Sequence, residues 1–212
     1  MSSPFDFFQE IYCINLDHRT DRWEHACGEF TKLGILDRVV RFPAIAAEDG
    51  RVGVIKSHLS IVKAARDIKL ENVLVFEDDV KFVGEDPIGT LDKALSQIGD
   101  IDYFLLYLGA NIHRGLEKVR KNLLLAKVAY GAHAICYHKR IYDLFVGYFD
   151  GMNRINRRED ILDVCLSENF QTNYVCFLVN PMIATQCNSY SDIEKKFVDQ
   201  EYIEERFREH TK

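Results

Sequence analysis

Val73-Leu74-Val75-Phe76 runs directly into Glu77-Asp78-Asp79. The four apolar residues form a short, continuous run, mostly β-branched or aromatic, the pattern of a strand buried on both faces. Such a strand predicts a largely parallel sheet covered by helices. The three acids then reach the carboxyl edge of that sheet, where open α/β folds bind ligands. Three carboxylates crowded there repel one another unless a cation screens them. Mg²⁺ or Mn²⁺ suits that role, because both take oxygen ligands and keep positions open for phosphate oxygens. A solvated acidic turn after a strand is the plainer reading of the same triplet.

The pattern extends outward from this strand. Residues 11–16 read as a first strand, and the polar stretch 17–22 leads into a helix. Trp23, Ala26, Cys27, Phe30 and Leu33 fall at helical spacing, and Gly34 is a fitting stop. Residues 39–42 read as a second strand, broken by Pro43. Ile55, Leu59, Val62 and Ala65 share one face of a second helix. The first 80 residues thus predict strand–helix–strand–helix–strand, a parallel or mostly parallel sheet with helices packed on it.

The second half is less regular. Residues 88–98 suit a helix, 103–108 a strand, 113–122 a charged loop, and 123–137 strand-like runs interrupted by Gly131. Residues 140–149 suit a short helix, and Arg157-Arg158-Glu159-Asp160 opens another through 166. Residues 174–179 read as a last strand, stopped by Pro181. The charged tail from Asp192 places Phe197, Ile203 and Phe207 on one apolar stripe, either a surface helix or a linker. No repeat or low-complexity segment is visible.

Composition narrows the function classes. A chain of 212 residues, 47% hydrophobic and 28% charged, is long enough for one sizeable core. Its net charge of −6 argues against a general nucleic-acid binder. The six cysteines form no C-x-x-C pair and mostly fall in apolar segments, which predicts free buried thiols in a reducing compartment. No signal peptide or membrane span is visible, so a cytoplasmic location is expected.

Four segments together carry a resemblance. Ile14-Asn15-Leu16-Asp17 with Arg19 and Arg22 resembles the I-N-L-D-x-x-x-x-R motif of glycosyltransferase family 25, the lipooligosaccharide and collagen sugar transferases. Gly53-Val54-Ile55-Lys56-Ser57-His58 resembles that family's G-C-x-x-S-H segment, with Val54 where Cys is common. Leu74 to Asp79 resembles its L-[VI]-x-E-D-D strand, a version of the D-x-D metal motif. Asp160, Pro181 and Gln186 resemble its looser C-terminal pattern. The resemblance spans residues 11–187, and it also suits the N-terminal domain of a larger viral glycosyltransferase, in which case the location is the host cytoplasm. It implies an α/β fold of the GT-A type, with a mixed, mostly parallel central sheet flanked by helices and a Rossmann-like nucleotide-binding half. It further implies a nucleotide-sugar donor and Mn²⁺ or Mg²⁺. The expected organisation is one domain over 1–212. A donor and metal half covers about 1–110, an acceptor half about 111–190, and a charged helix or linker the remainder.

Roles follow from chemistry. Asn15 and Leu16 end the first strand, where backbone groups can bond a base. Arg19 and Arg22, at a helix start, suit a diphosphate; surface arginines on an amphipathic helix are the plain alternative. Ser57 and His58 are expected in the first turn of the second helix and can bond sugar or phosphate, though a satisfied half-buried histidine fits His58 as well. Asp79 is the foremost metal ligand. Strand alternation pairs it with Glu77 on one side and leaves Asp78 for ribose or sugar on the other. Gln186, Asn188 or a histidine would supply a further ligand. Asp160, with Glu159 as rival, is the candidate base for the acceptor hydroxyl, against the plain reading of helix-start charge. Lys56 and the Arg157-Arg158 pair can bind phosphate or stay solvated. Tyr107, Gly109, Ala110 and Asn111 reach the same edge. The activity expected is hexose transfer from a nucleoside diphosphate sugar, UDP-sugar foremost, to a glycan or glycoprotein. A metal-dependent phosphohydrolase or nucleotidyltransferase and a non-catalytic nucleotide-sugar binder are the alternatives; a Walker-type glycine loop is absent.

Overall fold

The run Val73–Phe76 lies in the interior of an eight-stranded sheet, each of its four side chains fully buried. A computed structural model describes residues 3–211; residues 1, 2 and 212, the outer ends of the expected single domain, lie outside the described residues. In chain order the first half forms β1 (Glu10–Asn15), α1 (Thr20–Lys32), β2 (Val39–Pro43), α2 (Gly50–Asp67) and β3 (Asn72–Glu77). Then come β4 (Val80–Phe82), α3 (Pro87–Ile98), β5 (Leu105–Tyr107), β6 (Asn111–Arg120), β7 (Leu123–Tyr130) and β8 (Ala134–His138). The remainder is α4 (Tyr142–Phe149), α5 (Leu162–Cys165), β9 (Cys176–Val179), β10 (Ala184–Gln186), β11 (Ser189–Ser191), β12 (Lys196–Val198) and α6 (Tyr202–His210).

The sheet order is β2-β1-β3-β8-β5-β9-β7-β6. β1 pairs in parallel with β2 and β3, and β5 with β9. β8 and β7 run against their neighbours. Among the described residues, six of the eight strands (β2, β1, β3, β5, β9 and β6) therefore point one way. This is the expected mixed, mostly parallel α/β sheet flanked by helices.

Alternation along the central strands divides the core in two. Val73, Val75, Leu105, Tyr107, Ile135 and Tyr137 pack with α2, α4, α5 and α6 on one face. Leu74, Phe76, Leu106, Leu108 and Cys136 pack with α1 and α3 on the other. The carboxyl ends of β1 and β3 meet above these two layers, which brings residues 15–22 beside residues 77–79.

Four expectations change. Residues 113–122 are not a loop: β6 is an edge strand whose Ile112 is buried while His113, Glu117, Lys118 and Arg120 are exposed. One-sided burial and exposed charge are what an edge strand requires. The helix expected over 157–166 is broken into a single 3₁₀ turn at Arg158–Asp160, then α5, then a π-helical turn at Leu166–Phe170. The tail is a β11–β12 hairpin followed by α6; Ile203 and Phe207 are buried, but Phe197 lies on the hairpin and is exposed. Finally, β3 stops at Glu77, and Asp78-Asp79 form the turn into β4, so strand alternation does not govern the triplet.

Candidate active site

The turn separates the three acids. Asp78 and Asp79 face α1, where Arg22 Nη1 donates to Asp78 Oδ1 at 2.7 Å and Nη2 to Asp79 Oδ2 at 3.3 Å. Asn15 Nδ2 donates to the other Asp78 oxygen at 2.7 Å and to the Arg19 carbonyl at 3.0 Å. Both Asp78 oxygens are thus held by short bonds. Asp79 is less tightly held: Gln186 Nε2 stands 3.3 Å from each of its oxygens, and its carbonyl accepts from the Cys187 N–H at 2.8 Å. Glu77 turns toward α2, with Oε1 3.8 Å from His58 Nε2.

Burial and mutual repulsion act strongly on this cluster. Asp79 is pushed up to about 7 by burial and by Glu77, against the pull of Arg22. Glu77, half-buried, is pushed up to about 7 by burial, then by Asp78 and Asp163. Both carboxyls therefore favour the protonated form more than a free carboxyl does. Among the described residues no group of three or more His, Cys, Asp or Glu side chains converges as a ready metal-ligand set.

Both predicted diphosphate arginines are already engaged. Arg19 bonds Asp21 through two nitrogens and pairs with Asp192, while Arg22 Nη2 donates to Ser189 Oγ at 2.7 Å. The Tyr190 carbonyl stands 3.4 Å from a nitrogen of each. The β11–β12 hairpin therefore lies over the arginines and offers them oxygens. Sequence reasoning missed this strap, because its residues are polar and distant along the chain.

Arg41 was also missed. Its Nε and Nη2 donate to Asn15 Oδ1 at 2.9 and 2.7 Å, it pairs with Asp17 at 3.0 Å, and it stacks over Trp23. The carbonyls of Asn15 and Leu16 accept from Ala44 and Arg19 N–H groups. Those bonds fix the strand end beside the acids.

The second-helix motif lies deeper, two turns into α2 and not in its first turn, because Asp49 caps the helix at Gly50. Ser57 Oγ donates to the Gly53 carbonyl at 2.8 Å and accepts from Ile45 N–H at 2.9 Å, which ties the loop after β2 to α2. Gly53 permits that approach, since a Cβ there would stand 2.5 Å from the Ile45 carbonyl oxygen. His58 is fully buried, bonded at Nδ1 to Tyr137 Oη at 2.9 Å, and burial pulls it down to about 3. It is a neutral imidazole whose free Nε2 faces Glu77.

The structure does not join Asp160 to the acids by any bond among the described residues. Its carboxylate accepts from the N–H groups of Asn156 and Arg157 at 2.9 and 3.0 Å and from the Arg157 guanidinium at 3.1 Å. Those bonds hold it below the usual carboxylate range. Glu159 is exposed. Burial pushes Asp163, three residues on, up, and its charge raises both Glu77 and Tyr107. No sequence spacing signals it, because the extended Ile161 separates the Asp160 turn from α5. Tyr107 accepts from Gln171 within the core, and Gly109 lies against Ala184, where a Cβ would be 1.8 Å from the carbonyl oxygen.

The chain matches no protein-family model and no curated protein. Among solved structures it is similar to A197 from STIV, with 9% identity, a TM-score of 0.50, and 91% of this chain and 94% of that one covered. That likeness concerns the fold. Weaker likenesses are to a glycosyltransferase involved in glycosylation of the major capsid of PBCV-1 (10% identity, TM-score 0.44, 69% and 67% covered) and to apo UDP-glucose pyrophosphorylase (12%, 0.46, 84% and 76%). Among the described residues no helix is long and apolar enough to cross a membrane.

Proposed function

We propose that the chain is a glycosyltransferase that moves a hexose from a nucleoside diphosphate sugar, UDP-sugar foremost, to a glycan or glycoprotein acceptor. The observation that carries this reading is the acidic turn at the carboxyl edge of β3, where Glu77 and Asp79 are raised to about 7 beside Arg22. Motif resemblance to glycosyltransferase family 25 supports it. Asp79 and Glu77 are the proposed ligands for Mn²⁺ or Mg²⁺, which when bound offsets the charge of the diphosphate leaving group.

The residues of the chain do the rest. Arg19 and Arg22 exchange the hairpin oxygens for phosphate oxygens by charge-assisted bonds. Asn15 holds Asp78 toward the ribose or sugar hydroxyls. His58 supplies a neutral nitrogen behind Glu77, and Ser57 holds the helix that carries it. In the transfer, the bond between the sugar anomeric carbon and the β-phosphate oxygen breaks. A bond to the acceptor oxygen forms, and the acceptor proton passes to a carboxylate. Asp163, which burial raises and whose charge reaches Glu77, suits that base better than Asp160, which must first leave its backbone donors.

Product analysis with UDP-glucose, UDP-galactose and UDP-N-acetylglucosamine plus Mn²⁺ tests the reading. UDP release is expected. UMP or sugar phosphate would indicate phosphoryl chemistry, and binding without any product would indicate a binding domain.

A further inference from the structure

At the β6 edge of the sheet, four elements bring two arginines onto one chain of rings. His113 of β6 and Tyr130 of β7 stand edge to face, their ring centroids 4.7 Å apart. Arg158, from the 3₁₀ turn, lies 5.7 Å from the Tyr130 centroid and donates to its hydroxyl at 3.3 Å. Arg206 of α6 lies 5.4 Å over the Tyr202 ring and donates through Nη1 to His113 Nε2 at 3.2 Å. Burial, then these two arginines, pull His113 below its ordinary value, so the ring stays neutral and accepts.

Stacking on a ring orders a guanidinium and leaves nitrogens along its edge for a carboxylate or phosphate. Glu168 pairs with Arg158, whereas no carboxylate pairs with Arg206 among the described residues. On a chain of net charge −6, Arg206 therefore keeps its charge for an anionic ligand. Solvent reaches the cluster: Arg158 is exposed, Tyr202 is 39% exposed and Arg206 is half-buried. Hydroxyl partners are present too, since Tyr202 Oη accepts from Asn111 Nδ2 at 3.1 Å and keeps its own hydrogen to donate. The end of β7 ties the cluster to the candidate active site. Gly131, next to Tyr130, donates its N–H to the Asp163 carboxylate. The His133 carbonyl, three residues past Tyr130, accepts from the Glu77 N–H at 3.0 Å. Three residues span at most ~10 Å, so a ligand on the rings lies within that reach of the Glu77 backbone partner.

We propose that Arg158 and Arg206 bind the carboxylate or phosphate group of an anionic sugar, which is the acceptor in so far as the glycosyltransferase reading holds. Saturation-transfer NMR titrations on the full chain compare glucuronic acid and glucose 6-phosphate with neutral glucose. UDP binding with Mn²⁺ is measured in parallel. At least one charged sugar should bind ~5-fold or more tightly than glucose, and Arg206→Gln and Arg158→Gln should each weaken it by as much, the worth of one lost charge-assisted bond. Arg140→Gln, an exposed cation elsewhere on the surface, should leave it unchanged. Thermal melting checks folding; if loss of the Glu168 pair unfolds Arg158→Gln, Arg206→Gln decides. Equal binding of charged and neutral sugars overturns the proposal, as does equal charged-sugar binding in wild type and Arg206→Gln. Displacement of the sugar by an equal concentration of inorganic phosphate also overturns it, since the site would then read only the anion. UDP binding with no charged-sugar binding overturns it and keeps the glycosyltransferase reading. Charged-sugar binding that Arg206→Gln loses, with no UDP binding, keeps the site and removes that reading.

Discussion

Arg22 Nη1 stands 2.7 Å from Asp78 Oδ1, joining the first turn of α1 to the end of β3 across 56 positions of sequence. The same guanidinium reaches Asp79, so one cation compensates two mostly buried carboxylates. Removing one partner of a buried pair costs ~3–5 kcal/mol because the other charge stays behind, and less where water still reaches the arginine, as it does here. Arg22→Ala should therefore lower the melting temperature. Mn²⁺ should then raise it by more than in wild type, because the added cation replaces the lost one. Equal Mn²⁺ shifts in both proteins would separate the metal site from the Arg22 pair.

Asp192 and the Tyr190 carbonyl hold Arg19 from the hairpin side. If a diphosphate takes their place, Asp192 competes with it. Asp192→Asn should strengthen UDP binding, and Arg19→Ala should weaken it roughly tenfold, since a charge-assisted bond is worth ~1.5–3 kcal/mol. Calorimetry with UDP reads both. A weaker UDP complex in Asp192→Asn would make the hairpin acid part of the site and not its competitor.

The first half of the fold was legible because each element repeats one period without interruption. Val73–Phe76 could only be a strand covered on both sides, and Ile55, Leu59, Val62 and Ala65 could only be one helix face. The insertion of antiparallel β8 between β3 and β5 was not legible, because pairing partners leave no local mark. β6 was missed because an edge strand solvates one face, and its Glu117, Lys118 and Arg120 read as a loop. In the site, Asn15, Arg22, Asp78 and Asp79 were named from sequence and do meet. The hairpin oxygens, Arg41 and Asp163 arrive from distant segments that no spacing connects to the acidic turn.

Asp163→Asn should reduce transfer by ~10²–10⁴-fold with donor affinity kept, the usual worth of a general base. Asp160→Asn and Glu159→Gln are the comparisons, judged by UDP release in single turnovers with acceptor. Loss in Asp160→Asn alone, in a protein that melts normally, would return the role to Asp160.

Asp160 carries a second expectation, for stability. Its folded pKa lies below the unfolded value because Asn156 and Arg157 N–H groups bind the carboxylate. The unfolded chain therefore takes up this proton first as pH falls, so the stabilisation is complete above the ordinary carboxylate range and is lost on acidification through the folded value. Asp160→Asn should lower stability at neutral pH and flatten its decline in acid. Urea midpoints across pH 7 to 3 measure it; a parallel decline in both proteins would deny the carboxylate this role.

Calorimetric binding of UDP-glucose to wild type and Asp79→Ala, each with Mn²⁺ and with EDTA, tests the central claim most directly. Cation-assisted binding at the acidic turn predicts tighter binding with Mn²⁺ in wild type and no difference between the two conditions in Asp79→Ala. Equal wild-type affinity in Mn²⁺ and EDTA would contradict it.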